Sequence, residues 1–198
     1  MTVYALFADI LDYPGPAVAA QVRRCLSELA VEDLKASELM ARFQTEQARK
    51  TLGELQELYT STFELRPDCT PNLGYHLFGN DARRNMFMAQ LKTRMETYHV
   101  AMGSELPDHL SLVLRLLERQ DSEEERSALL EDCLVPALSR MLEVLNQDGE
   151  PNAYGNVLRA LLHLLRRRSR VEAIPAEAVE NHPTRVIAAK AGIQLLPD

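Results

Sequence analysis

The sequence predicts an all-α fold. Apolar residues recur at the three- and four-residue spacing of amphipathic helices along almost the whole chain, and no segment shows the two-residue alternation and β-branched enrichment of a strand. Hydrophobic residues make up 46% and charged residues 26% of the 198 residues, which is typical of a globular protein with one core. We therefore expect a single-domain helical bundle over residues 1–168 and a loosely ordered C-terminal tail over residues 169–198.

The N-terminal part of the chain predicts four helices. Val3, Phe7 and Ile10 share one face of the first helix, which must end near the YPGP run at residues 13–16, because two prolines and a glycine prevent its continuation. Apolar periodicity predicts the next two helices at about residues 17–30 and 33–50. A fourth begins at Leu52 and fades by Phe63; it either joins the third or follows a short break around Gly53.

The middle of the chain predicts a short helix followed by a long one. The short helix carries Tyr75, His76 and Phe78 and follows a loop with two prolines. The long helix, over about residues 82–102, is predicted from five apolar residues spaced by three or four: Phe87, Leu91, Met95, Tyr98 and Met102. Gly103 is then the expected left-handed C-cap.

The C-terminal half continues the helical pattern. Pro107 and Asp108 suit the first turn of a helix, since proline needs no hydrogen-bond partner there and the carboxylate faces the positive end of the helix dipole. Asp108 would cap this helix, and His109 would pack on the preceding loop. Further helices are predicted at about residues 123–133, 134–145 and 152–168, with Pro136 either at the start of the second or kinking it.

The charge of the chain excludes one class of partner. The net charge of −7, from 29 acidic and 22 basic side chains, has the sign opposite to that expected of a nucleic-acid-binding protein, so we expect no nucleic-acid partner. An acidic surface would suit a basic peptide, although mild acidity also favours solubility alone. The dense basic run at residues 166–170 could bind an anion, but arginines at a helix C-terminus also complement the helix dipole, and we favour a solvated basic end.

No catalytic or metal-binding motif is present in the sequence. The five histidines lack a second His or Cys at helical spacing, and the three cysteines form neither a CxxC pair nor a disulfide framework, as expected in a reducing compartment. His109 and Ser111 would point about 200° apart on a helix, which argues against a Ser–His dyad. We predict no enzyme, no metal site and no cofactor of its own.

The sequence also predicts where the protein works. The N-terminus lacks the basic opening and the cleavage site of a secretory signal, and no apolar run approaches the roughly 18–20 residues of a membrane span. We expect a cytoplasmic protein without direct membrane insertion. Any association with a membrane would come through a partner.

Two segments combine residue types that suit a binding surface. In the first, Tyr75, His76 and Phe78 lie beside a glycine. They could line an aromatic groove, or the two aromatic rings, three residues apart, could simply cover the core. The second segment, ELPDHL at residues 105–110, could belong to a binding site or only start a helix. The pattern alone leaves both alternatives open.

The order of these segments resembles the NarJ family, the dedicated assembly chaperones of respiratory nitrate reductase, which are related to the TorD and DmsD chaperones. The matching pieces are LDYP at residues 11–14, LYTSTFE at 58–64, HLFGNDARR at 76–84, and the stretch from Tyr98 that leads to ELPDHL. The last piece is the most specific, because this hexapeptide before an apolar helix is a hallmark of the family. The resemblance spans about residues 1–120, with weaker helical similarity to about residue 168.

The resemblance implies an all-helical chaperone of the TorD/NarJ type without a catalytic centre. Such chaperones bind the twin-arginine-like N-terminal segment of the nitrate reductase catalytic (alpha) subunit, together with the rest of the apo-subunit. They keep it competent for molybdenum cofactor insertion and delay its docking to the membrane subunit. A chaperone of another molybdoenzyme, such as a dimethyl sulfoxide or trimethylamine N-oxide reductase, is the nearest alternative. A helical transcriptional regulator and a small helical enzyme are more distant ones.

The resemblance also implies a groove for the client, lined or braced by nine residues. They are Tyr59, Phe63, Glu64, Tyr75, His76, Phe78, Asp81, Asp108 and His109. The aromatic pair Tyr75 and Phe78 would supply apolar contact. The arginines of the client would face one or more of three acids, Glu64, Asp81 or Asp108.

Two features depart from the family pattern. Residues 79–82 are less acidic than the corresponding family stretch, and the tail from about residue 171 matches nothing in the family. We expect a monomer, with a dimer as the alternative.

Overall fold

The computed structural model describes residues 2–147 and 152–172, and this part of the chain is predominantly helical. Its α-helices are α1 (Val3–Ile10), α2 (Val18–Glu32), α3 (Leu34–Gln47), α4 (Leu52–Tyr59), α5 (Leu73–Phe78), α6 (Ala82–Thr97), α7 (Leu110–Arg119), α8 (Glu123–Ala128), α9 (Val135–Gln147) and α10 (Ala153–Glu172). Within the described residues the only β-type pairing is an isolated antiparallel bridge between Asn72 and His109. The prediction of an all-α bundle is confirmed.

One apolar core joins the helices. α3 packs between α2 and α10, α2 packs on α1, and α1 packs on α7. Helix α7 is buried along most of its length, and its buried residues are Leu110, Ser111, Leu112, Val113, Leu114, Leu116 and Leu117. Each fully buried large apolar side chain contributes about 1.5–3 kcal/mol relative to exposure, so α7 is one of the helices that stabilise the core.

Helix α6 ends before its predicted C-terminus. It stops at Thr97, His99 takes the left-handed conformation with φ 54°, and the Val100 N–H donates to the Met95 carbonyl at 2.8 Å. Gly103 is also left-handed, with φ 60°, but it lies beyond the helix, so its predicted role as the C-cap is wrong. The apolar spacing misled because Tyr98 and Met102 still pack against the core after the helix has ended.

Two π-helical turns replace predicted α-helix. One, Thr60–Glu64, continues α4, and the other, Leu129–Leu134, joins α8 to α9. The second turn comes directly before Pro136, where the Val135 N–H donates to the Leu130 carbonyl. A proline ring collides with the preceding turn of a regular α-helix, which accounts for the widening there.

The basic run at the end of α10 is bound to the protein, not merely solvated as predicted. Arg168 forms an ion pair with Glu32 and lies 4.6 Å from the centroid of the Tyr4 ring, and Arg167 donates to the Glu32 carbonyl. These contacts hold α10 against the corner between α2 and α3. The helix continues to Glu172, past the predicted end at residue 168, and the rest of the predicted tail, residues 173–198, lies outside the described residues.

Three further features belong to the part of the chain that the structure describes. None of its helices has the length and apolar content that a bilayer crossing requires. None of its His, Cys, Asp and Glu side chains form a group of three or more that could hold a metal ion. Its three cysteines are buried, and burial raises the pKa of Cys25 to about 12, so this thiol is unreactive at neutral pH.

Candidate functional site

A half-open pocket of about 390 Å³ lies where three parts of the chain meet. Residues 12–13, just after α1, form one side. The end of α4 and the π-helical turn after it form the floor, and the loop at residues 66–72 forms the opposite side, together with Glu105 and His109. The pocket therefore depends on the tertiary fold, since its walls are far apart in the sequence.

Aromatic rings form the apolar part of the pocket. The Tyr59 ring lies 5.1 Å from the Phe63 ring and 5.5 Å from the Tyr13 ring, with both pairs edge to face. The Tyr59 hydroxyl donates to the Leu11 carbonyl at 3.2 Å, which attaches the floor to the end of α1. Tyr59 and Phe63 are buried, whereas Tyr13 is 53% exposed. Tyr13 thus offers an aromatic face that the fold itself does not use.

Three carboxylates make the pocket acidic. Asp12 accepts a hydrogen bond from Arg115 at 2.7 Å, Glu64 accepts one from the Thr60 hydroxyl at 2.8 Å, and Glu105 is largely exposed. The only arginine lining this pocket, Arg66, pairs with Asp68 at 3.3 Å. These carboxylates act on Tyr59 in the pocket floor. Its pKa is raised mainly by burial, and then by Asp12, Tyr154, Glu105 and Glu64.

Each pocket acid is followed in the sequence by an exposed apolar residue. The three pairs are Asp12-Tyr13, Glu64-Leu65 and Glu105-Leu106, and we call them the pocket rim. Their apolar members are 53%, 73% and 47% exposed, and they make up half of the large hydrophobic residues that are exposed in the described part of the chain. Tyr13 lines the pocket, and Leu65 and Leu106 directly follow two of its lining acids in the sequence. Exposed apolar residues at a cleft are typical of a binding surface.

The end of the loop at residues 66–72 and the start of α5 are fixed to the ELPDHL segment by backbone hydrogen bonds. The Leu73 N–H donates to the Asp108 carbonyl at 2.8 Å, and the Leu110 N–H donates to the Pro71 carbonyl at 2.9 Å. This pairing holds His109 in extended backbone after a turn at Pro107 and Asp108, so α7 begins at Leu110, and Pro107 and Asp108 do not form its first turn as predicted. The hexapeptide therefore fixes one wall of the pocket.

Asp108 faces the interior, where it pairs with Arg84. Its side chain is fully buried, and Oδ2 accepts from Arg84 Nε at 2.9 Å, while Oδ1 has no hydrogen-bond partner among the described residues. Gly74 makes the pair possible, because a Cβ at this position would lie 2.7 Å from Asp108 Oδ2. Asp108 does not cap α7, contrary to the prediction, and its carboxylate is buried beside Arg84. Its part in client binding stays a prediction.

His109 takes the capping position that was predicted for Asp108. Its Nδ1 accepts from the Ser111 N–H at 3.3 Å and lies 2.8 Å from the Ser111 hydroxyl, which leaves the proton on Nε2, 3.9 Å from a Glu105 oxygen. The prediction that His109 and Ser111 point apart is wrong, because His109 precedes the helix and turns back onto its first turn. Burial lowers the pKa of His109 below 6.5, so the ring is neutral at pH 7. Ser111 is fully buried, so this contact caps the helix and does not present a nucleophile.

His76 fixes the loop on the other side of the pocket. Its Nε2 lies 2.7 Å from the carbonyl oxygen of Thr70, a pocket-lining residue, and the ring is buried. Burial is the main cause that lowers the pKa of His76 below 6.5. Arg140 and Arg84 act in the same direction, while the Thr70 carbonyl and Asp108 oppose it. The His76 side chain is therefore neutral in the folded protein at neutral pH.

The neutral state of His76 predicts acid sensitivity. As pH falls through about 6.5, the unfolded chain takes up a proton that the folded chain resists, so the free energy of unfolding decreases with falling pH. We expect His76→Gln to reduce this loss, and His109 to account for part of what remains. Urea unfolding at about pH 7.5 and at about pH 5.5 measures this decrease in the free energy of unfolding, and both pH values lie above the range in which carboxylates usually titrate.

The control is His99→Asn, which replaces an exposed histidine by a residue that tolerates positive φ. This variant should lose as much stability on acidification as the wild type. Equal losses in the wild type, His76→Gln and His99→Asn would contradict the expectation.

The nine predicted site residues fall into three groups. Tyr59, Phe63, Glu64 and His109 line the pocket. His76 and Asp108 are buried behind its walls, where they hold the loop and the hexapeptide. The remaining three lie around the turn between α5 and α6 and do not line the pocket: Tyr75, Phe78 and Asp81.

The turn between α5 and α6 has its own contacts. The half-buried Phe78 ring lies 5.5 Å from the Phe87 ring, and Arg83 stacks 6.0 Å from its centroid. Asp81 caps α6 by accepting from the Arg83 N–H at 2.8 Å. Phe78 therefore packs on α6 and Asp81 caps it, and the part of both residues in client binding stays a prediction.

Sequence reasoning missed Asp12, Tyr13 and Glu105 as site residues. They lie in the LDYP and ELPDHL segments, but the prediction weighed the proline turn and the helix start without considering the acids beside them. The local feature shared by the three lining acids is a large apolar residue directly after each of them, at Asp12-Tyr13, Glu64-Leu65 and Glu105-Leu106.

The fold and the site define a helical binding protein with an acidic, aromatic-lined pocket. The chain belongs to the nitrate reductase delta subunit family, whose model matches residues 20–148. Membership makes it a nitrate reductase assembly chaperone, and it confirms the resemblance to the NarJ family. No curated protein matches the chain. The matched residues run from α2 to the end of α9 and include most of the pocket, but Asp12, Tyr13 and the whole of α10 lie outside them.

Proposed function

We propose that the protein binds the N-terminal, twin-arginine-like segment of the apo nitrate reductase alpha subunit in this pocket. The bound subunit is thereby kept competent for molybdenum cofactor insertion and is kept from docking early to the membrane subunit. The chaperone acts in the cytoplasm as a monomer, recognises an incompletely folded client and contributes no cofactor of its own.

The pocket rim is the observation that supports this proposal. Its three exposed apolar side chains suit the apolar face of a client segment, and the carboxylate beside each of them suits a basic residue at the edge of that face. Tyr59, Phe63 and His109 form the floor and wall against which the client packs. His76 and Asp108 hold those walls and do not touch the client.

The test is calorimetric titration of the purified chaperone with a peptide copying the N-terminal segment of the host's nitrate reductase alpha subunit. We expect saturable binding of this peptide and none of a scrambled peptide. Equal binding of the two peptides, or none, would overturn the proposal. Selective binding of a corresponding peptide from a dimethyl sulfoxide or trimethylamine N-oxide reductase would assign the chaperone to that other molybdoenzyme.

Removing the exposed acids should weaken binding in a salt-dependent way. In Glu64→Gln/Glu105→Gln we expect a several-fold loss of affinity at low salt, since each rim charge contributes about 0.5–1 kcal/mol to a basic partner. The difference from wild type should disappear near 1 M salt, where the screening length is about 3 Å. The matched control Glu57→Gln/Glu96→Gln makes the same charge change at exposed carboxylates that do not line the pocket, and it should bind as wild type. A loss that persists at high salt would contradict an electrostatic role.

A further inference from the structure

We propose that Asn152 and Tyr154, at the start of α10, are positioning residues of the pocket. They hold the π-helical turn Thr60–Glu64 in the conformation that presents Phe63 and Glu64 to the client. The inference rests on the function proposed above. It concerns residues outside the part of the chain that the family model matches, residues 20–148.

A short chain of hydrogen bonds connects α10 to this turn. Asn152 Nδ2 donates to the Thr62 hydroxyl oxygen at 2.9 Å, and the Thr62 hydroxyl donates to the Leu58 carbonyl at 2.6 Å. Asn152 Oδ1 accepts from the Tyr154 N–H at 2.9 Å. The Asn152 side chain therefore caps α10 and binds the pocket turn at the same time.

Aromatic packing makes the second connection. The Tyr154 side chain is fully buried, and its ring lies 5.2 Å from Phe63 and 5.7 Å from Tyr59, both edge to face. Its other neighbour is Phe43 of α3, at 5.2 Å. The two rings of the pocket floor thus rest on a ring of α10, on the side away from the pocket.

The turn needs such support because of its geometry. The Leu65 N–H donates to the Thr60 carbonyl at 2.9 Å, which is the wide hydrogen bond of a π-helix. Single π-helical turns are rare and frequently occur at functional sites. Inserting one residue into a helical turn rotates the residues that follow it. The directions of Phe63 and Glu64 therefore depend on keeping this turn, which Asn152 and Tyr154 contact.

Variants at both ends of the Asn152–Thr62 hydrogen bond test the proposal. Asn152→Ser keeps a good N-cap for α10 but is too short to reach Thr62, and Thr62→Val removes the acceptor while keeping the shape. We expect each to weaken binding of the alpha-subunit peptide about tenfold, with little change in melting temperature, whereas Thr62→Ser binds as wild type. Unchanged affinity in Asn152→Ser and Thr62→Val would overturn the proposal.

Two further readouts separate positioning from general destabilisation. The effect of Asn152→Ser should shrink when the basic residues of the peptide are replaced by glutamine, or when the chaperone carries Glu64→Gln, because the loss acts through Glu64. An equal loss for basic and neutral peptides, together with a lower melting temperature, would mean a structural role only.

The last readout needs no peptide and keeps the inference testable if the proposed function fails. In amide NMR spectra of the free chaperone, Asn152→Ser should shift the signals of Phe63, Glu64 and Leu65. Spectra that change only within α10 would overturn the proposal. Absence of peptide binding by the wild type would instead count against the proposed function alone.

Discussion

Replacing Arg84 by methionine is expected to destabilise the protein by about 3–5 kcal/mol, because it leaves a buried carboxylate without its cation. The Asp108 side chain has no exposed surface, that of Arg84 is 17% exposed, and 2.9 Å separates Arg84 Nε from Asp108 Oδ2. The second oxygen of Asp108 has no hydrogen-bond partner within the described structure, so the side-chain contact that compensates the charge is the ion pair with Arg84. Urea unfolding at neutral pH gives the change in the free energy of unfolding.

The neighbouring ion pair supplies a matched control. Arg83 pairs with Asp81 at 3.2 Å, but the two side chains are 57% and 43% exposed, so Arg83→Met should cost less than about 1 kcal/mol. The double variant Arg84→Met/Asp108→Asn should recover most of the loss, since it removes the charge that Arg84 compensates. Equal costs for the Arg84 and Arg83 variants would show that Asp108 is not a buried structural charge.

The helical class of the fold was predictable because helical spacing of apolar residues is a local property. Helix ends were less predictable where tertiary contacts decide them. Tyr98 and Met102 continue the apolar spacing of α6, yet the chain leaves the helix at His99, where Arg119 donates to the Tyr98 and His99 carbonyls. In the same way, the pairing of residues 71–73 with 108–110 keeps Asp108 out of α7, and no local pattern reveals a bridge over that distance.

The pocket was only partly predictable, for the same reason. Tyr59, Phe63, Glu64 and His109 were selected through the family resemblance, which depends on local motifs. The turn at Phe78 belongs to another such motif, but the fold places it away from the pocket walls. The role of Tyr154 could not be predicted, because α10 meets the pocket floor only in the folded chain.

Tyr13→Ala is expected to weaken binding of the alpha-subunit peptide by about 2 kcal/mol, or about 30-fold in the dissociation constant. Exposed aromatic rings at the edge of a preformed pocket are frequent hot spots, since they bury a large area on binding at little entropic cost. Because Tyr13 is 53% exposed and its main ring contact is Tyr59, the variant should lose only about 1 kcal/mol of stability. Calorimetry of binding, together with urea unfolding, measures both effects.

Phe78→Ala provides the contrasting result that locates the site. The family resemblance implies that Phe78 contacts the client, which would make this variant lose about 2 kcal/mol of binding with helicity retained. Phe78 is half-buried against Phe87 and does not line the pocket, so we expect Phe78→Ala to lower stability more than Tyr13→Ala does and to weaken binding less. The reverse order, with binding lost in Phe78→Ala and kept in Tyr13→Ala, would move the client from the pocket to the turn between α5 and α6. Loss of binding in both variants, with both proteins folded, would mean that the client spans the two surfaces.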